Sequence, residues 1–387
     1  MKTGRLWSKN FILINLCVIF ASFTNFAYIY ILPVHMVNIG GSNTDVGLMG
    51  TGLTLVGLVT RLTLAPLIDK WGRKNMLVLG VCLFTLNSLG YLLLRDSVGG
   101  VILMRCFSGF SQGIFFPVPP TIVSDVVSED KLVDGLGIFG IAGSLPAIFS
   151  PVVGMYLYEN VSPLSFFVLT LVMSAISIVF ALLYQDEYKP QPAVQPVKKR
   201  KFSLNSVLEV SILFSCLIAF LAMAGNSAVN NFVINFGNTR AIAGMSVFFT
   251  VNNIAIVLTR MFAGRLTRWL SSGKLVTLGM IVLGVGNLII VFALNLPVML
   301  AASALIGIGT TLYAQLLQAD ILRQVDESRR GVANSTFMLA QDLGTGAGAS
   351  VFGVTSEYFG YPVTFAVSAV VTWLGLPICL KTYRKKK

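Results

Sequence analysis

The chain has 387 residues, of which 55% are hydrophobic and only 11% charged, and its mean hydropathy is +0.80. A water-soluble protein of this size cannot bury so much apolar side chain, and the polar residues are too few for an unfolded chain, so soluble enzymes and disordered proteins are both excluded. The excess of 28 Lys and Arg over 16 Asp and Glu, +12 in all, is read as basic residues gathered on cytoplasmic loops of a membrane protein, not as a nucleic-acid surface.

A spanning helix needs about 20 apolar residues. Apolar runs occupy 11–32, 46–67, 76–95, 98–123, 135–158, 164–184, 207–231, 243–264, 275–295, 298–319, 332–355 and 362–380, which predicts twelve transmembrane helices. The opening MKTGRLWSKN mimics a signal peptide, but no small-residue cleavage site follows, so the first run is read as a retained helix. The long polar connection at 185–206 carries prolines and the run Lys198, Lys199, Arg200, Lys201. It divides the chain into an N-terminal six-helix bundle (1–184), a cytoplasmic linker (185–206) and a C-terminal six-helix bundle (207–387). With the N-terminus inside, 23 Lys and Arg fall on cytoplasmic segments and two, Arg95 and Arg240, on external ones. That bias predicts a multi-pass protein of the plasma membrane with both termini cytoplasmic.

The halves echo one another. A shift of 199 places Thr60-Arg61 on Thr259-Arg260, Leu79-Gly80 on Leu278-Gly279, Gly154 on Gly353, Pro163 on Pro362 and Phe166 on Phe365. Both halves carry an arginine late in helix 2, a basic loop after it and a fifth helix rich in small residues. Two parallel halves with a substrate site between them near midplane is a transporter plan.

The loop after helix 2 reads APLIDKWGRKNM. It resembles the signature between helices 2 and 3 of the major facilitator superfamily, and the resemblance places Asp69, Gly72, Arg73 and Lys74, with Ala65 where a glycine is usual. Gly72 suits a tight turn, and Asp69 paired with Arg73 or a helix end would act as a conformational latch. Helix 4 holds LMRCFSGFSQG, similar to the family's second signature, in which Arg105 is followed by Gly109. Helix 5 holds Ser150-Pro151-x-x-Gly154, similar to the Gly-Pro-x-x-Gly pattern of the family's proton-coupled exporters. There Pro151 would bend the helix and Gly154 allow close packing. The resemblance implies an all-α fold of twelve transmembrane helices in two pseudo-symmetric bundles, and the activity of a drug or metabolite exporter exchanging substrate for protons.

Polar residues inside the spans carry the rest. Asp342, about ten residues or ~15 Å into helix 11, is the one deep acid and the candidate proton carrier, in a glycine-rich stretch with Gly344, Gly346 and Gly348. Arg61, Arg105 and Arg260 lie within helices, and with Asn25, Gln112, Asn226, Gln315 and Gln341 they are candidate lining for a substrate cavity. Three intramembrane arginines against one acid predict an anionic or zwitterionic substrate. The five cysteines and the single histidine, His35, show no metal-ligand spacing, and no cofactor is expected. The expected partners are a small molecule, protons and the lipid bilayer, with the chain a monomer. Within transport, the alternative is a proton-coupled uptake symporter. A receptor would want a signalling domain, a channel a ring of like charges or re-entrant carbonyls, and an ATP-driven pump a phosphate-binding loop; none is found.

Overall fold

The computed structural model describes residues 7–128, 131–185, 209–326 and 329–384, and among them the chain is helical with no strand. Most of the predicted linker and the basic ends of both tails lie outside the described residues. The helices are α1 (Lys9–Asn38), α2 (Asn43–Trp71), α3 (Arg73–Leu94), α4 (Val98–Phe115), α5 (Val118–Val126), α6 (Leu132–Ser144), α7 (Pro146–Asn160) and α8 (Pro163–Leu183). After the linker come α9 (Leu213–Thr239), α10 (Val247–Leu266), α11 (Ser272–Phe292), α12 (Leu296–Gln324), α13 (Arg330–Trp373) and α14 (Gly375–Arg384). Among the described residues nine helical stretches are long and apolar enough to cross a membrane, and one of these, 332–383, has length enough for two.

The starts and interruptions follow from local chemistry. Ser8, Ser97, Ser162 and Asn295 each accept a backbone N–H of the helix they open, and proline occupies the first turn after Ser162 and Asn295. The run 98–123, expected as one helix, is divided at Phe116–Pro117 ahead of Pro119 and Pro120. The run 135–158 is divided between Ser144 and Pro146, so the interruption lies at Pro146, and Pro151 sits inside a continuous α7. Proline lacks the N–H that a helix needs and crowds the preceding turn. In α13 the break is at Gly360, whose φ of 80° and ψ of 167° leave the helical region two residues before Pro362. Pro163 and Pro362, which coincide under the repeat shift, thus both stand at the start of a helical segment.

The described residues cluster into two compact units, 1–40 with 52–196, and 41–51 with 197–387. In the first unit α1 packs on α7 and α8, and α3 on α4 and α8. Phe11, Ile14, Cys17, Met76, Leu77 and Phe115 form part of its buried apolar cluster. The second half of α2 lies against α4 through small residues. A β-carbon at Gly109 would overlap the carbonyl oxygen of Leu53 and come within 2.8 Å of the amide nitrogen of Gly57.

In the second unit α9 packs on α13, α11 on α12, and α10 on α12. Gly344 and Gly348 of α13 leave room only for the backbone of Phe220 and Ala224. The first turns of α2 belong here for the same reason. Gly47 lies against Ala349 and Gly353, the Thr51 hydroxyl is 2.6 Å from that of Ser350, and the Asn43 amide donates to Glu357 at 2.7 Å. Helix ends in both units are closed by arginines: Arg95 donates to the Leu92 carbonyl at 2.7 Å. Arg240 donates to the carbonyls of Val291 and Ala293 at the end of α11, its guanidinium 4.2 Å over the Phe236 ring. Just before α9, Glu209 accepts from the Ser211 hydroxyl at 2.7 Å and from Arg329.

Two outcomes follow from these contacts. Gly109→Val puts branched atoms where the α2 backbone runs, and it should cost about 1–3 kcal/mol, read as a lowered melting temperature of the detergent-solubilised protein. The Ser211 hydrogen bond, then Arg329, hold the Glu209 carboxyl below its usual 4.5. Its stabilisation is therefore complete above pH 4.5 and lost as pH falls through the depressed folded-state value. Glu209→Gln should unfold earlier than wild type at pH 7 and lose less of its remaining stability on acidification below pH 4.5, as followed by thermal melts across that range.

Candidate functional site

Gly72 has φ 85° and ψ 152°, a conformation that side chains rarely adopt, and it turns the chain between α2 and α3 without a spacer. The turn brings Arg73 to Asp125 at the end of α5, and the two form a close ion pair with both side chains largely shielded. Asp125 thus supplies a carboxylate to Arg73. Lys74 is half-buried beside it. The side chain of Asp69 lies outside the described residues.

In the second unit Asp342 and Gln341 are half-buried on α13, one turn from the tight crossing at Gly344. The Gln341 carbonyl accepts the Thr345 hydroxyl at 3.0 Å. Asn226 of α9 is buried and its Oδ1 has no partner among the described residues. Gln315 and Arg260 are exposed on α12 and α10. A cavity of about 850 Å³ opens among α11, α12 and α14, lined by Lys274, Thr277, Asp320, Leu380 and Tyr383, with the Tyr383 hydroxyl donating to Asp320 at 2.8 Å. None of the candidates named from the sequence lines it.

In the first unit Arg61 and Gln112 are half-buried, whereas Asn25 and Arg105 are buried. Gly109 meets α2 as described, and Gly154 faces Ile31 of α1 and Phe166 of α8. Pro151 and Ser150 are buried on α7. Arg105 lies in a polar cluster that sequence reasoning missed. Tyr91 and Asn87 of α3 both bond Ser108 of α4, at 3.0 and 2.7 Å, and Ser108 donates its own proton to the Met104 carbonyl at 3.0 Å. Tyr28 of α1 donates to Thr170 of α8 at 2.8 Å and its ring lies 4.6 Å from that of Tyr91. The signal was available: Asn87, Ser88 and Tyr91 recur at helical spacing on one face of an apolar helix. His35 is also fully engaged. Its Nε2–H donates to the Arg95 carbonyl at 2.7 Å, so Nδ1 accepts the Tyr158 hydroxyl at 2.9 Å. Among the described residues no three His, Cys, Asp or Glu side chains gather to hold a metal ion.

The helical architecture, the Gly72 turn with its Arg73 partner, and the small-residue crossings meet the expectations of one family. The sequence pattern of the Major Facilitator Superfamily matches residues 14–268 and 212–387, and the chain belongs to that family. It is a multi-pass membrane protein of a transporter family. Multidrug resistance protein 1 of Bacillus subtilis is 21% identical over 365 residues, covering 91% of each chain. The staphylopine export protein of Staphylococcus aureus is 19% identical over 369 residues, covering 92% of this chain and 90% of its own. An uncharacterized transporter of the family from Methanocaldococcus jannaschii is 22% identical over 356 residues, covering 88% and 89%. Among solved structures, a nucleoside transporter superposes with a TM-score of 0.79 at 13% identity over 96% of this chain and 99% of its own. A peptide transporter in complex with sulfate reaches 0.81 at 13% identity over 97% and 94%. These likenesses concern the fold.

Proposed function

We propose that the chain is a secondary exporter of a small anionic or zwitterionic molecule, working by alternating access and driven by protons moving the other way. The observation that carries export is the similarity, over nine-tenths of the chain, to proteins named for multidrug resistance and staphylopine export. The Ser150-Pro151-x-x-Gly154 pattern on α7 supports the same direction. In this reading the chain crosses the plasma membrane twelve times with both termini cytoplasmic, a reading that the distribution of Lys and Arg supports.

Each residue's part follows from its chemistry. Asp342 is the proton carrier: it is a carboxylate within a span, half-buried, and one turn from a crossing too tight for side chains. A carboxylate in such a place binds a proton more readily than one in water. Asp69, Gly72, Arg73 and Lys74 form the latch, with Gly72 setting the turn and Asp125 anchoring Arg73. Arg61 and Arg260, at matching places in the repeat, make the inner half of the path positive, and Asn25, Gln112, Asn226, Gln315 and Gln341 supply hydrogen bonds to the substrate.

Inverted membrane vesicles with an imposed proton gradient test this reading. Wild type should accumulate a labelled organic anion when the lumen is acidic. Asp342→Asn should lose that accumulation at least tenfold and keep gradient-independent exchange. Gradient-driven accumulation by right-side-out vesicles alone would replace export with uptake by symport. Normal accumulation by Asp342→Asn would remove Asp342 from coupling.

A further inference from the structure

Arg105 is buried to 4% exposure, yet its Nε and Nη1 have no hydrogen-bond partner among the described residues. The cluster around it explains why. The Ser108 hydroxyl spends its proton on the Met104 carbonyl, so its oxygen receives the Asn87 amide and the Tyr91 hydroxyl. Tyr91 has then given its own proton away, and its oxygen lies within reach of the Arg105 charge. Tyr28 is committed to Thr170. The guanidinium, with five N–H donors and a full positive charge, thus keeps two of its nitrogens unmet among the described residues. Among the described residues it has no ion pair, in contrast to Arg73, which meets Asp125.

A buried cation without a counter-charge is costly, and the cost is recovered when a matching anion arrives. From this geometry we infer that Arg105 is the oxyanion-binding group of the first unit, and that its ligand is the carboxylate of the transported molecule. The inference rests on the anionic-substrate reading above and narrows it to one residue and one functional group. Guanidinium is the side chain best fitted to a planar carboxylate, by charge and by donor geometry.

The test uses the full chain in detergent and three probes that share one ring: sodium benzoate, benzyl alcohol and benzylammonium chloride, at matched ionic strength. Benzoate should raise the melting temperature of wild type, and the other two should not. Arg105→Gln should bind benzoate at least tenfold more weakly, the loss expected for a charged hydrogen bond, and should melt at or above the wild-type temperature without ligand, because an unpaired charge has gone. Arg105→Lys should bind several-fold more weakly than wild type. An equal benzoate response in wild type and both variants overturns the assignment of Arg105 and leaves the anionic reading standing. A wild type stabilised by benzylammonium and not by benzoate overturns both. An Arg105→Gln protein that melts far lower, with Arg105→Lys restoring stability and responding to benzoate as wild type does, assigns Arg105 to structure and also overturns the inference.

Discussion

Inside a bilayer a peptide group has no water to turn to, so each N–H and C=O must find its partner within the fold. That constraint governs every element here. The chain meets it by being helical through most of its described residues, and the breaks within its longest apolar stretches fall where a residue cannot take part, at Pro117, at Pro146 and at Gly360. Where helices begin, Ser8, Ser97, Ser162 and Asn295 take up N–H groups that the helix itself leaves open. Because lipid offers helices no hydrophobic reason to associate, their cohesion comes from close contact. This is why the glycines at 57 and 109, and at 344 and 348, stand where one backbone meets another.

The same environment sorts the charges. Arg73, at the end of a helix, has a carboxylate beside it, and the pair ties the turn after α2 to the end of α5. Glu209 and Arg329 tie the start of α9 to the approach to α13 in the same manner. Arg105, buried on α4, has no ion pair among the described residues. Ser108 and Tyr91 there are bonded to one another, while Nε and Nη1 of Arg105 and Oδ1 of Asn87 have no partner among the described residues.

Much of this was legible in the residues. Hydropathy alone located the helical regions among the described residues, since about 20 apolar residues in a row have few other uses. Gly72 was readable as a turn because its neighbours, Asp69 and Arg73, framed it within a familiar spacing. The interruptions were less legible: an apolar run looks continuous whether or not Pro117 or Pro146 breaks its hydrogen bonds. The grouping of 41–51 with the second half of the chain was not legible, because it depends on Gly47 and Thr51 meeting residues some 300 positions away. The partners of Arg73 and Arg105 were hidden for the same reason. Asp125 and Tyr91 belong to other helices, and periodicity says which face a residue occupies without saying what it meets there.

Arg95 and Arg240, the two basic residues that the charge distribution assigns to the external side, are each bound to carbonyl oxygens near the end of a helix. A helix C-terminus carries partial negative charge, so each guanidinium is largely neutralised where it sits. In the orientation proposed above, both arginines would count as full charges against the prevailing one until those carbonyls are assembled around them. Two among so many opposing ones are outvoted. Once the helices close, the same two residues become fasteners. In that orientation the insertion signal would rest on a majority, leaving the minority for construction.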